Sequence, residues 1–85
     1  MSMNRNKIIE KLKEILVSAD ENAAKTIDSV GEQTGLMTDL GLSSVNMLYL
    51  IIATEEVFQI RFDDVGMNDF ATVGDVVTYI EGKLR

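Results

Sequence analysis

The sequence predicts an all-α domain, a small four-helix bundle of three main helices and one short one. Three observations predict it. Ile8, Ile9, Leu12, Ile15 and Leu16 fall on one helical face within residues 4–17. From Val45 to Phe58 an apolar stretch runs without a glycine, directly after a polar turn on Gly41. Val73, Val76, Val77, Ile80 and Leu84 then supply a last inward face behind Thr72 and Asp75, whose spacing is that of a capping box with Asp in place of Glu.

Each element has its own physical basis. In the first helix Arg5, Lys7, Lys11 and Lys13 fall mostly opposite the apolar face, and that face carries no Trp or Phe, so core packing is expected rather than membrane binding. Residues 18–43 read as a long loop punctuated by Gly31 and Gly35, with a turn of helix over 23–27. A loop of this length in a compact domain is functional or tied down. Ile27, Val30, Leu36, Met37, Leu40 and Leu42 are expected to pin it over the helices, and with no proline nothing rigidifies it. Residues 59–62 alternate polar and apolar as a short extended connector, and the short helix is expected over 63–69. Asp63, Asp64 and Asp69 do not match the spacing of an EF-hand loop, so helix-end charge or weak cation binding is expected there and no metal site. The last helix is rich in β-branched residues, weak helix formers that depend on tertiary packing.

Composition narrows the chemistry. A chain of 85 residues, 46% hydrophobic, suits a single domain spanning 1–85 with one modest core. No apolar run approaches a membrane span and the N-terminus lacks a signal-peptide apolar region, so a cytosolic protein is expected. There is no cysteine and no histidine. Disulfides, thiolate metal sites and thiol nucleophiles are therefore excluded, and the commonest general base is missing. A self-sufficient catalyst does not fit this inventory. Any thiol for thioester chemistry has to arrive with a prosthetic group. The net charge of −6 is uneven: +2 over residues 1–17, −4 over 18–44, −4 over 45–69 and zero over 70–85. An acidic middle argues against nucleic acid and favours basic protein surfaces.

The organising stretch is Asp39-Leu40-Gly41-Leu42-Ser43-Ser44-Val45. Ser43 or Ser44 suits an N-cap, and a hydroxyl held there sits at the positive end of the helix dipole, where an attached phosphate is favoured. The helix beyond is apolar on two sides. Met47, Leu50, Ile51, Ala53, Thr54, Val57 and Phe58 form a core arc, with Thr54 and Ala53 leaving room for a chain. Val45, Leu48, Tyr49 and Ile52 form a second arc, flanked by Glu55 and Glu56. That second arc serves the loop of this chain, a partner protein or a bound acyl group.

Asp-Leu-Gly-x-x-Ser-Val, followed by a long apolar helix with Glu55-Glu56 and Val57-Phe58-Gln59-Ile60 near its end and a last helix opening Ala71-Thr72-Val73, resembles the acyl carrier protein family over nearly the whole chain. The resemblance implies the family's right-handed four-helix arrangement, with 4'-phosphopantetheine attached to Ser44 through a phosphodiester. It implies a phosphopantetheinyl transferase and acyl-loading and acyl-processing enzymes as partners of a free-standing monomer. Leu42 and Val45 would flank the arm, and Leu48, Tyr49, Ile52, Glu55 and Glu56 would face partners. The chain departs from the family at Ser43, where most members have Asp, and at Asn46, Met47 and Tyr49, where many have acids. The uncharged first two turns of the Ser44 helix point to a specialised lipid or polyketide-type pathway. An aminoacyl or peptidyl carrier is the near alternative. A helical adaptor without a prosthetic group, binding through the Val45/Ile52 face, is the alternative of another class.

Overall fold

A computed structural model of the chain describes residues 4–19, 24–25, 27–63 and 69–84. Among them are three α-helices, α1 (Arg5–Ala19), α2 (Ser44–Phe58) and α3 (Val73–Leu84), with a 3₁₀ turn at Ile27–Ser29 and no strand beyond one isolated bridge between Gly35 and Thr72. The all-α architecture read from the sequence is the observed one. The short helix expected over 63–69 falls on 64–68, outside the described residues, as does part of the aspartate cluster. Of the helical turn expected over 23–27, Ala24, Lys25 and Ile27 have 3₁₀ conformation, while Ala23 and Thr26 lie outside the described residues.

α1 begins at Asn4, whose side-chain Oδ1 accepts the Lys7 amide at 2.9 Å and whose carbonyl accepts the Ile8 amide at 3.2 Å. Its buried residues are Ile8, Leu12, Ile15 and Leu16, the stripe that the periodicity marks. α1 packs against both α2 and α3 and is the helix that the other two share. Each side chain buried in this way contributes roughly 1.5–3 kcal/mol against leaving it in water. α3 turns Val73, Val76, Val77 and Ile80 inward, with Leu84 partly buried at its end. Thr72 and Asp75 form the expected capping box: Asp75 Oδ2 accepts the amides of Ala71 and Thr72 at 2.9 and 3.1 Å, and Thr72 Oγ1 accepts the Asp75 amide at 3.2 Å.

The second half of the long loop is stitched to the entry of α3. The Leu36 amide donates to Ala71 O, the Val73 amide to Thr34 O and the Gly74 amide to Glu32 O, at 2.8–3.0 Å. Backbone pairing thus supplies the rigidity that proline would otherwise give. Gly74 has to be glycine for this approach, because a Cβ there would meet Glu32 O at 2.8 Å. Arg5 fastens the same region from α1, pairing its guanidinium with Glu32 on the loop and with Glu81 on α3, the latter at 2.7 Å. Of the residues expected to pin the loop, Val30, Leu36 and Leu42 are buried, and Ile27 and Leu40 pack against the core. Met37 is a correction: it is 51% exposed, because its neighbour Leu36 takes the inward position.

α2 ends on Gln59 in the left-handed conformation (φ 57°), with its amide and that of Ile60 both donating to Glu55 O. Of the connector expected over 59–62, Gln59 is thus the helix cap, and residues 60–62 belong to neither helix nor strand. Phe62 joins Phe70 and Tyr79 in an aromatic cluster with ring centroids 4.8–5.6 Å apart, which ties the connector to α3.

Candidate functional site

The stretch 39–47 is built from the bottom by its own hydrogen bonds. Asp39 Oδ2 accepts the Gly35 amide at 2.6 Å, and the amides of Asp39 and Leu40 both return to Gly35 O. The Leu42 amide then donates to Leu36 O at 3.1 Å. Gly41 supplies the turn between them with φ 67°, a conformation that side chains disfavour. This turn drives Leu42 inward and leaves Ser43 and Ser44 on the surface. Leu42 is only 3% exposed and belongs to the core. It therefore cannot flank an arm or face a partner as expected. It anchors the turn that presents the serines.

The structure also settles which serine is the cap. Ser43 is the N-cap and Ser44 the first helical residue. Ser43 Oγ accepts the Asn46 amide at 3.2 Å, and Asn46 Oδ1 accepts the Ser43 amide at 3.1 Å, a capping box with Asn in the place of Glu. The Ser43 hydroxyl donates to Asn46 Oδ1 at 2.8 Å, and Asn46 Nδ2 reaches Ala19 O at 3.1 Å, locking the start of α2 to the end of α1. Ser43 thus does the capping work that the family's Asp at this position is chemically suited to do, without the charge. Ser44 is left exposed, and among the described residues its hydroxyl makes no hydrogen bond. The backbone amides of Ser44 and Val45, two of the orphan donors of the first turn, are likewise unpaired among the described residues. A phosphate ester on Ser44 fits this position: two free N–H groups and the positive end of α2 favour an anion there, and no carboxylate of α2 lies within the first two turns to oppose it.

Beyond the serine, α2 buries Met47, Leu50, Thr54 and Phe58. The Thr54 hydroxyl is satisfied inside by Leu50 O at 2.6 Å. Neither Thr54 nor Ala53 lines the void in the described core. It lies between Leu12, Leu16, Leu36, Leu50, Val73 and Val76 and is about 10 Å³, at most the room of a single water. On the other side Val45 is 75% exposed, and Leu48, Tyr49 and Ile52 lie between 45% and 51%. The described residues of the loop do not fold across them. Val57, expected in the core, is 48% exposed. It stands at the edge of the buried arc, over an open cleft of about 330 Å³ between α1 and α2 that Lys11 and Glu14 rim rather than fill. The two glutamates also part company. Glu56 is exposed, whereas Glu55 is half-buried and accepts the Phe62 amide at 2.8 Å, so it holds the connector. Asn46, which the sequence marked only as a departure from the family's acids, proves to be the reciprocal partner of the Ser43 cap, and its place three residues after Ser43 was the signal for that role.

A domain that holds an exposed serine hydroxyl free of capping bonds at the head of a helix, with an exposed apolar face beside it, has the form of a carrier for a covalently attached group. The family model for the phosphopantetheine attachment site matches residues 7–80. The chain is 35% identical over 81 residues to the acyl carrier protein of Thermotoga maritima, covering 95% of this chain and 96% of that one. It is 38% identical over 74 residues to that of Wolinella succinogenes, covering 87% and 93%, and 34% identical over 77 residues to that of Phytoplasma australiense, covering 91% and 97%. The chain belongs to the acyl carrier protein family, which carries covalently attached 4'-phosphopantetheine. It is a carrier rather than an enzyme, and membership implies dealings with a phosphopantetheinyl transferase and with acyl-processing enzymes. Among the described residues no helix is long and apolar enough to cross a membrane.

Proposed function

We propose that Ser44 is the attachment point, and that the chain is a free-standing, monomeric, cytoplasmic carrier of acyl groups in a specialised lipid or polyketide-type pathway. The observation that carries the attachment is the division of labour between the serines: Ser43 takes the cap, so the exposed Ser44 hydroxyl is free to react. In loading, Ser44 Oγ forms a new P–O bond to the phosphorus that bears the pantetheine of coenzyme A. The pyrophosphate bond breaks and the adenosine 3',5'-bisphosphate leaves. The serine proton passes to a base on the transferase, since this chain has no histidine or cysteine. The bound arm supplies the terminal thiol that forms thioesters. The chain's own residues hold Ser44 rigidly, offer two amides to the phosphate and present Val45, Leu48, Tyr49, Ile52 and Glu56 to partners.

The specialised pathway is supported by the charge pattern of α2. From Ser44 to Thr54 it carries no charged side chain, so an enzyme that grips carriers through Arg and Lys finds few handles. Poor exchange with enzymes of general fatty-acid synthesis is expected, and efficient exchange would defeat that part of the proposal. The attachment is tested by intact mass after incubation with coenzyme A and a broad-specificity transferase. A gain of one phosphopantetheinyl group in wild type and Ser43→Ala, and none in Ser44→Ala, is the expected pattern. A gain retained in Ser44→Ala would place the arm elsewhere.

A further inference from the structure

We infer that the arm, once on Ser44, rests in a surface groove between the loop at 33–39 and the entry to α3 at 70–72, so that the carrier holds its own prosthetic group between enzyme visits. The inference depends on attachment at Ser44. The groove has a volume of about 360 Å³ and is lined by Gln33, Met37, Thr38, Phe70, Ala71 and Thr72, together with Gly35 and Asp39. The alternative refuge, the void between the helices, is about 10 Å³ and admits nothing of that size unless the helices part.

Reach is sufficient. Ser44 lies two residues beyond Leu42, whose amide bonds Leu36 O at 3.1 Å, and Leu36 in turn bonds Ala71 O through its own amide. Summing extended chain lengths along that path puts Met37 within about 16 Å of Ser44. The arm from phosphate to thiol has about as many chain atoms as five residues, about 17 Å when extended. The chemistry also matches. Beyond its phosphate the arm is uncharged, with a geminal dimethyl group, a hydroxyl and two amides. The groove offers the apolar surfaces of Met37 and Phe70 between the polar groups of Gln33, Thr38 and Thr72. The Asp39 carboxylate at its edge is engaged by the Gly35 amide and meets no anion beyond the phosphate. Met37 itself is otherwise unexplained: Leu36 and Leu42 beside it are buried, while this flexible, polarisable side chain lies open at the groove.

The test is NMR of isotope-labelled full-length protein before and after loading by a transferase with coenzyme A. Intact mass first establishes complete loading, and the Ser44→Ala variant establishes its place. In the loaded protein, NOEs from the arm's geminal methyls to the Met37 methyl and the Thr72 methyl are expected, with amide shift changes at Gly35, Thr38 and Ala71. Met37→Glu, at an exposed position, should keep its melting temperature and load fully yet lose those NOEs. Shift changes confined to 43–46 would mean an arm free in solvent. NOEs to Leu16, Leu50 or Val76 would mean an arm between the helices. Either result overturns the groove while leaving attachment intact, whereas absence of the mass gain overturns attachment and the groove together.

Discussion

The two faces of α2 are made of the same kinds of residue and have opposite fates. Met47, Leu50, Thr54 and Phe58 are buried against the rest of the chain, while Val45, Leu48, Tyr49 and Ile52, equally apolar, meet water. Hydrophobicity alone does not decide which side a helix buries. On α1 and α3 a polar face opposes the apolar one, so the buried side can be read directly. On α2 the choice comes from outside the helix, from the single surface that α1 and the stitched loop can cover. A surplus apolar face of this kind supports the proposal that another protein covers it.

The largest effect should come from breaking the inner face. Leu50→Ala removes a fully packed side chain beside an existing void and should cost about 2–5 kcal/mol in urea unfolding, a large share of a domain's total of about 5–15 kcal/mol. Next is the cap. Ser43→Ala strips the Asn46 amide of its acceptor and should cost about 1 kcal/mol, while Ser43→Asp should restore the loss, since a carboxylate caps the same amide. Acid sharpens the contrast differently. The amides of Ala71 and Thr72 hold the Asp75 carboxyl below its usual range, and Arg5 does the same to Glu32. A lowered folded-state pKa means that the unfolded chain binds the proton more readily. That stabilisation is full above about pH 4 and is lost as pH falls through the folded-state value. Asp75→Asn should therefore flatten the fall in melting temperature below about pH 4. The smallest effect on stability belongs to the outer face: Ile52→Ser should change unfolding free energy by no more than about 0.5 kcal/mol.

The sequence showed the helices well, because α1 and α3 announce their faces by period and the Thr72/Asp75 cap by spacing. It also marked the turn into α2 and the pair of serines. What it could not show depends on contacts between distant residues. Leu42 reads as a neighbour of the serine proposed as the attachment point, but the Leu36–Leu42 bond and the positive φ of Gly41 turn it inward. Val57 reads as core by angle, yet α1 leaves a cleft above it. Glu55 reads as a surface acid until the connector folds back to place the Phe62 amide on it. Gln59 ends α2 in a conformation usually marked by glycine or asparagine, so nothing in its identity signalled the stop. The Arg5 pairing with Glu32 and Glu81 joins residues 27 and 76 positions apart, beyond any local pattern.

The most direct measurement of the central claim compares the double variant Tyr49→Ser/Ile52→Ser with wild type, reading both the melting temperature and the kcat/KM of a phosphopantetheinyl transferase loading the chain. If the outer face of α2 exists for partners, kcat/KM falls at least about tenfold, the loss of about 1.4 kcal/mol of transition-state stabilisation, while the melting temperature holds. An unchanged kcat/KM together with a lowered melting temperature would contradict it, and would make the outer face part of the fold rather than of the function.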